Sequence, residues 1–148
     1  MNSMVEIRSA EFDDVPACAA LADELIGPRR AQPFAEAALD RRQLLVASDD
    51  GSVVGCLAYT TNWFNCTFVS LVVVEPDHRR KGIARELYRA VEAESASPRL
   101  FSSTEETNAA SIRMHSALGF TASGYVDNLP QGCRELLFYK RLDGGRHA

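Results

Sequence analysis

The sequence predicts an α+β fold in which about four helices flank one mixed, mostly antiparallel sheet. Two β-rich runs, residues 44–47 and 53–60, are joined by the turn signal Asp-Asp-Gly-Ser, which predicts an antiparallel hairpin. Later, an apolar run at 67–74 is followed by a helical pattern and by a β-rich run at 100–103. A strand, a helix and a second strand in this order predict a crossover, and therefore one parallel pair of strands.

The first third of the chain predicts one strand and two helices. Residues 5–8 alternate between apolar and polar side chains, as in a half-buried strand. The acidic pair at 13–14, followed by a proline, indicates an acidic cap and the start of a helix. Gly27-Pro28 ends that helix, and Pro33 is expected to begin a second, short one.

The remaining elements follow from periodicity and from breaker residues. Ile83, Leu87 and Val91 recur at helical spacing and predict the crossover helix. Three further elements complete the chain: a helix at 109–118 and strands at 121–126 and 135–140. Strands outnumber helices, which argues against a fully alternating, doubly wound sheet.

Length and composition predict a single globular domain over residues 1–148, with a short polar tail at 143–148. The chain has 148 residues, of which 46% are hydrophobic and 24% charged, and it can therefore bury a core. Its net charge of -4 does not favour nucleic acid or an anionic membrane as the main partner.

The sequence also carries information on the location of the protein and on metal binding. No apolar stretch approaches the ~20 residues that cross a bilayer, and the N-terminus lacks the basic and apolar regions of a secretory signal. We therefore expect a cytoplasmic protein. Its four cysteines form no CxxC pair, so buried free thiols are expected rather than disulfides or a zinc site, and no metal is predicted.

The most informative segment is a basic turn between the apolar strand and the crossover helix. Unpaired N–H groups at the start of a helix point outward together, which suits a phosphate or pyrophosphate. Gly82 and Ala84 let a ligand approach the backbone, and positive charge is supplied by Arg79, Arg80 and Lys81. The alternative interpretation is a solvated helix cap. The glycines of the dinucleotide-binding and P-loop motifs are absent, so NAD and ATP sites are disfavoured.

Two segments together resemble a known family. The signature Arg79-x-x-Gly82-x-Ala84, directly after Val72-Val73-Val74-Glu75-Pro76, resembles the acyl-CoA loop of the GNAT superfamily of N-acetyltransferases. Residues 108–120, which end in Leu-Gly-Phe, look like the later helix of that family. The order of elements from Val5 to Arg141 is also similar to the GNAT fold. The chain is therefore identified as a member, and its parallel strands are expected to splay apart.

This resemblance implies acetyl-CoA as the co-substrate. In the family, the strand backbone pairs with pantetheine, the amides of the turn hold the pyrophosphate, and the first residues of the later helix contact the pantetheine arm. Carried onto this chain, the implied cofactor-binding residues are Val72, Val73, Val74, Arg79, Arg80, Lys81, Gly82, Ile83, Ala84, Arg85, Asn108 and Ser111.

His115 stands where the family usually has a tyrosine, the general acid for the departing thiolate. Two interpretations are open. His115 either takes over that acid role, or it forms hydrogen bonds within the core of an enzyme that needs no such acid. The spacing Ser-x-x-x-His also resembles the branch that acetylates phosphinothricin and similar amino acids.

A general base is the second catalytic expectation. An alkylammonium with a pKa near ~10.4 must lose its proton before it attacks a thioester. We predict Glu105, near the end of the strand beside the splay, as that base. Glu106 is its alternative, and Glu75 is expected to be a loop carboxylate. Positioning of the two reactants alone is worth ~7 to 11 kcal/mol, so an enzyme without a dedicated base is also consistent.

The resulting prediction is an acetyl-CoA-dependent N-acetyltransferase that acts on a primary amine of a small molecule by direct attack. The alternatives are a non-catalytic acyl-CoA sensor and a protein or peptide N-acetyltransferase. By family analogy the acceptor pocket includes Arg29 and Arg30, which suit a carboxylate, and the turn at Asp127, which suits a polyamine. Trp63 and Phe64 are candidates for pocket or dimer contacts, and a homodimer is suggested by analogy alone.

Overall fold

A computed structural model describes residues 5–143, so the N-terminal residues 1–4 and the predicted tail from 144 onward lie outside the described residues. Within this range the chain forms seven strands and four α-helices, with short 3-10 helices at Phe12–Asp14 and Pro76–His78. The elements are β1 Val5–Ser9, α1 Val15–Ile26, α2 Pro28–Asp40, β2 Leu44–Asp49, β3 Ser52–Trp63, β4 Cys66–Val74, α3 Ile83–Glu94, β5 Arg99–Glu105, α4 Ala109–Ala117, β6 Thr121–Val126 and β7 Glu135–Arg141.

The seven strands follow the order β1-β2-β3-β4-β5-β7-β6. Strands β4 and β5 are parallel, and their paired residues run from Thr67 and Leu100 to Val69 and Ser102. The pairs β1–β2, β2–β3, β5–β7 and β6–β7 are antiparallel. The predicted mixed sheet with one parallel pair and four flanking helices is therefore confirmed.

The contacts within the chain divide it into two compact units. The first contains the chain up to Tyr59 together with Ser70–Glu94, and the second contains Thr60–Val69 together with the chain from Ser95 onward. Helices α1, α2 and α3 belong to the first unit, and α4 belongs to the second. The expectation of a single domain stays a prediction.

The core of the first unit is built from small and branched side chains. The buried alanines of α2, Ala31, Ala35 and Ala38, recur at helical spacing and bring α2 close to α1. Their partners on β2 and β4 include Val46 and Val73. Cys18 and Cys56, expected to be buried free thiols, are buried and free.

One local expectation in the first unit was wrong, and a second is confirmed only in part. Helix α2 begins at Pro28 and not at Pro33, because Pro28 occupies the first helical position, where its missing N–H costs nothing. Pro33 lies inside the helix, and the carbonyl that loses its donor belongs to the exposed Arg29. Asp14 occupies the N-cap position of α1, as predicted, but its carboxylate makes no capping bond. It accepts instead from Arg8 at 2.8 Å and from the Glu11 amide at 2.7 Å.

The second unit packs α4 against one side of β5. Leu100, Ser102 and Thr104 alternate as its buried residues, as expected for a strand with one covered face. The residues between them are only partly buried, and Phe101 lies in a cluster of aromatic rings with centroids about 5 Å apart, formed with Trp63, Phe68 and Tyr139.

Phe64 contacts the edge of Trp63 and is 81% exposed. Trp63 is half-buried in the cluster, so only Phe64 of this pair is exposed, and a role of the two residues in pocket or dimer contacts stays a prediction. No helix within residues 5–143 is long and apolar enough to cross a membrane.

Candidate active site

The basic turn of the first unit leads from β4 into α3 in a conformation that needs a glycine. After the 3-10 helix Pro76–His78 the backbone passes through two left-handed positions, Arg80 at φ 66° and Gly82 at φ 80°. The carbonyl of Gly82 accepts the first helical bond, from the amide of Glu86 at 3.1 Å. A β-carbon at Gly82 would meet no atom within 4 Å, so open space lies beside the backbone here.

Three backbone donors point away from this turn without a partner. The amides of Ile83, Ala84 and Arg85 precede the first helical bond, and none of them has an acceptor in the described part of the chain. The Ile83 side chain is 4% exposed and anchors the start of α3 in the core. Converging free amides at a helix N-terminus form a concavity that binds anions.

The three basic side chains of the turn have different surroundings. Arg79 is used internally: its Nε donates to the carbonyl of Val74 at 2.9 Å, and its Nη2 donates to Glu24 at 2.8 Å. Arg80 and Lys81 are exposed and form no ion pair within residues 5–143. Arg79 therefore braces the turn, and Arg80 and Lys81 carry the positive charge that remains for a ligand.

His78, which no sequence motif singles out, braces the same turn. Its ring lies between two carboxylates, with Nδ1 2.7 Å from Glu75 and Nε2 3.0 Å from Asp49. Asp49 ends β2, which lies far from His78 in the sequence. Only the strand order brings the two residues together, so no sequence motif signals this contact.

The strand that leads into the turn is tightly packed. Val73 and Val74 are buried and Val72 is half-buried. Gly55 of β3 lies against this strand, because a β-carbon at Gly55 would come within 3.2 Å of the Val73 carbonyl. The end of β4 is therefore a fixed platform for the turn.

In the second unit, Asn108 and Ser111 form the start of α4. Oδ1 of Asn108 accepts from the Ser111 amide at 3.0 Å, so Asn108 is the N-cap of this helix. The Asn108 amide donates to the carbonyl of Glu105 at 3.0 Å and ties α4 to the end of β5. Both residues, predicted as pantetheine contacts, thus also have a structural role.

His115 lies on α4 and is fully buried, with 0% of its surface exposed. Its Nδ1 is 2.8 Å from the carbonyl of Ser111, one turn earlier, and its Nε2 is 2.8 Å from the hydroxyl of Ser102 on β5. A carbonyl only accepts, so Nδ1 carries the proton and Nε2 accepts from Ser102.

Aromatic rings enclose the same imidazole. The ring of Phe138 stacks on it at 4.4 Å, and Phe120 contacts its edge at 5.2 Å. Burial lowers the pKa of His115, against a smaller raising effect of the Ser111 carbonyl, so the ring is neutral near pH 7. Of the two interpretations left open by the sequence, this geometry favours a hydrogen-bonded core histidine.

Glu105 is the last residue of β5, which extends beyond the predicted end at residue 103. It is exposed, as is Glu106, and it lies opposite Glu135 in the antiparallel register with β7. The half-buried Glu135 accepts from the Ser103 hydroxyl at 2.7 Å. Together these carboxylates raise the pKa of Cys133, after the larger effect of its own desolvation, and this disfavours a thiolate there.

The loop between β6 and β7 is closed by an ion pair that the sequence did not predict. Arg134 donates to both carboxylate oxygens of Asp127, at 2.9 and 3.2 Å, and its guanidinium lies 3.7 Å from the ring centroid of Tyr125. The Arg134 hydrogen bond lowers the pKa of Asp127. Asp127 is therefore already neutralised. Arg29 and Arg30, in the first turn of α2, are exposed and have no ionic partner among residues 5–143.

Comparison with known proteins decides the family. The family model described as "Acetyltransferase (GNAT) family" matches residues 2–120, which is most of the chain. The chain belongs to the GNAT acetyltransferase family. The basic turn and α4 of this GNAT protein are thus the segments that carry the resemblance seen in the sequence.

Solved structures agree with this assignment. A GNAT-family acetyltransferase from Bacillus cereus is 33% identical, with a TM-score of 0.85 and coverage of 93% of this chain and 97% of that one. YncA from Salmonella typhimurium, a putative acetyltransferase solved with its cofactor acetyl-CoA, is 23% identical, with a TM-score of 0.74 and 96% of each chain covered. A ribosomal-protein-alanine N-acetyltransferase from Brucella melitensis is 25% identical, with a TM-score of 0.76 and coverage of 93% and 99%.

The predicted site residues of this acetyltransferase fall into two groups. One group lies in the first unit, at the end of β4 and in the basic turn, and consists of residues 72–74 and 79–85. The other lies in the second unit and consists of Glu105, Asn108, Ser111 and His115. Among residues 5–143, no group of three or more His, Cys, Asp or Glu side chains is arranged to hold a metal ion.

Proposed function

We propose that this acetyltransferase transfers an acetyl group from acetyl-CoA to the primary amine of a small, amino acid-like molecule by direct attack. The observation that carries the proposal is the set of three free amides at the start of α3, beside the unpaired Arg80 and Lys81. Three such amides and two cations suit the pyrophosphate of a CoA thioester. YncA, which has the same fold, was solved with acetyl-CoA.

The reaction needs one bond formed and one broken. The neutral amine attacks the thioester carbonyl, the C–N bond forms, and the C–S bond breaks as CoA leaves as a thiolate. A thiol has a pKa near ~8.5, so its thiolate leaves readily at neutral pH, and the amine's own proton is the larger obstacle. We assign polarisation of the carbonyl to backbone N–H groups of β4, a role worth a few kcal/mol in related chemistry.

His115 is proposed as a positioning residue and not as the acid that protonates the thiolate. A group with 0% exposure and both ring nitrogens within 2.8 Å of protein oxygens has no surface that touches a bound thioester. Its contacts with Ser102 and Phe138 instead hold α4 on β5 and β7. The thiolate then takes its proton from water or from the amine.

Glu105 is proposed as the general base, and its neighbour supplies a matched control. Glu105→Gln is expected to lower kcat by about a hundredfold, because general bases contribute about 10² to 10⁴ in rate. Glu106→Gln removes the same charge from the next residue and is expected to change kcat by less than about threefold. Steady-state measurement of kcat for the wild type and both variants, at a saturating concentration of the same amine, tests this. Equal values of kcat for the two variants would contradict the role of Glu105 as a base and would indicate that catalysis depends on positioning of the reactants alone.

The acceptor class follows from the charges that remain unpaired. Asp127, which the sequence offered as a site for a polyamine, is neutralised by the bidentate contact with Arg134. Arg29 and Arg30 keep their charge unpaired in the described residues, and they suit an acceptor that carries a carboxylate. This supports an amino acid-like amine over a polyamine.

Neutralising the two arginines tests this choice. The double variant Arg29→Gln/Arg30→Gln is expected to raise KM for amines that carry a carboxylate by about tenfold, because a charge-assisted hydrogen bond is worth about 1.5 kcal/mol. KM for the matching decarboxylated amine should stay unchanged. Arg41→Gln/Arg42→Gln removes two charges directly after the end of α2 at Asp40 and serves as the control for charge. A rise in KM for both kinds of amine would contradict the assignment.

A protein N-terminus is the second candidate acceptor. The observation that favours it is the 25% identity over nearly the whole chain with the ribosomal-protein-alanine N-acetyltransferase from Brucella melitensis. A peptide that begins with alanine and a panel of free amino acids, tested side by side, separate the two candidates. Preference for the peptide would replace the small-molecule acceptor and leave the chemistry unchanged.

Calorimetric titration with acetyl-CoA, with ATP and NAD as comparators, is the first test of the proposal. We expect micromolar binding of acetyl-CoA and far weaker binding of the other two, followed by thiol release with a suitable amine. Binding without thiol release from any amine or peptide would indicate an acyl-CoA sensor. Absence of acetyl-CoA binding would overturn the proposed function.

A further inference from the structure

His78 connects the ends of two strands next to the basic turn. Its Nδ1 lies 2.7 Å from Glu75, the residue that follows β4, and its Nε2 lies 3.0 Å from Asp49, the last residue of β2. Ionised carboxylates only accept hydrogen bonds, so both ring nitrogens donate and the ring is an imidazolium. Hydrogen bonds from His78 to Asp49 and then to Glu75 raise the pKa of His78 accordingly.

This bridge fixes one end of the anion-binding turn. The His78 amide also donates to the Glu75 carbonyl at 2.9 Å, and Arg79 follows with its own bonds to Val74 and Glu24. The other end of the turn is fixed by the buried Ile83. Only residues 80–82 lie between the two fixed points, and two of them have positive φ.

We propose that His78 is a positioning residue for the pyrophosphate of acetyl-CoA, and that its bridge between Asp49 and Glu75 holds the turn in the shape that presents the free amides of α3. The inference rests on the proposed function, because it concerns the binding of the same acetyl donor, acetyl-CoA. The imidazolium also has an electrostatic effect: without it, two carboxylates that have lost their counterion would lie next to the site of an anion.

The charge state of His78 should therefore be coupled to acetyl-CoA binding. The charged groups that act on the ring are Asp49 on β2, Glu75 three residues earlier in the chain, and Lys81 on the turn, which opposes the other two. Affinity for acetyl-CoA is expected to fall as the pH rises through the pKa of His78. Coupling is reciprocal, so saturation with acetyl-CoA should raise that pKa in turn.

Substitutions on both sides of the bridge test this role. His78→Phe keeps a ring and loses both donors, and it is expected to weaken acetyl-CoA binding about tenfold, within the range usual for coupled sites. KM for acetyl-CoA should rise with kcat nearly unchanged. Activity with S-acetylpantetheine, which lacks the pyrophosphate, should stay at the wild-type level.

Asp49 and Asp50 provide a control in which the direction of the change in acetyl-CoA affinity separates the bridge from general electrostatics. Asp49→Asn and Asp50→Asn remove the same charge, but only Asp49 contacts His78, and Asp50 has φ 52°, which asparagine tolerates. General electrostatics would make both variants bind the anionic donor slightly more tightly. The bridge predicts weaker binding for Asp49→Asn alone, by about threefold.

The outcomes separate this inference from the proposed function. If the wild-type protein does not bind acetyl-CoA, both are overturned. If it binds and the His78 and Asp49 variants bind equally well, only the role of His78 is overturned. Should His78→Phe fail to fold, NMR titration of the wild-type imidazole decides, since a pKa that acetyl-CoA leaves unchanged would contradict the coupling.

Discussion

Replacing Gly82 by aspartate is expected to abolish acetyl-CoA binding while the protein stays folded. A side chain at this position projects into open space, because a β-carbon there meets no atom within 4 Å. A carboxylate in that space would lie beside the amides that the pyrophosphate needs. Two like charges about 4 Å apart near a protein surface repel by about 4 kcal/mol, which is a loss of about a thousandfold in affinity.

The controls separate charge from backbone strain. Gly82→Asn adds a side chain of the same size without charge, and asparagine tolerates the positive φ of 80° better than most residues. We expect this variant to lose about tenfold in affinity at most. Gly124→Asp places the same carboxylate at a second open glycine, with φ 94° on β6, and should bind like the wild type. Calorimetry measures the affinity for acetyl-CoA, and thermal unfolding measures the stability of each variant. Equal binding by Gly82→Asp and Gly82→Asn would contradict the pyrophosphate assignment.

The fold was predictable wherever one pattern dominated a segment. The apolar run of β4 and the helical spacing of Ile83, Leu87 and Val91 each allow one structure, and together they specify the parallel crossover. Helix α2 was misplaced because two prolines compete for its first position. In the structure the amide of Ala31 donates to the carbonyl of Gly27 at 3.0 Å, so the helix has already begun before Pro33.

The candidate site likewise has features that the local sequence predicts and features that it does not. The free amides of α3 follow from local sequence, since a strand, a glycine turn and a helix leave such donors unpaired wherever they occur. The contact of His78 with Asp49 depends on the order of the strands, and the contact of His115 with Ser102 depends on which face of β5 helix α4 covers. One residue of shift in register would turn Ser102 to the other face of β5, so no linear pattern specifies these bonds.

Removal of the buried imidazole is expected to cost stability rather than catalysis. His115→Ala would leave a cavity between α4 and β7 and remove the stacking on Phe138. Truncation of a large buried side chain costs about 2 to 5 kcal/mol in the free energy of unfolding. His115→Gln keeps a hydrogen-bonding side chain without an ionisable ring, and we expect its turnover per folded molecule to match the wild type between about pH 6 and 9. A large loss of turnover in a folded His115→Gln protein would indicate that His115 is the general acid for the departing thiolate after all.

The pH dependence of unfolding gives the same residue an independent test. Burial lowers the pKa of His115 in the folded protein, so the unfolded chain binds the proton first as the pH falls below about 6.5. The stability contributed by the neutral ring is therefore complete above that value and is lost below it, by at most about 1.4 kcal/mol per pH unit. His78, whose pKa is raised by Asp49 and Glu75, acts in the opposite sense and is unchanged by a substitution at residue 115. Urea unfolding of the wild type and of His115→Gln at several pH values isolates the contribution of His115 to the free energy of unfolding. If this free energy changes with pH in the same way for both proteins, His115 is not held neutral by the core.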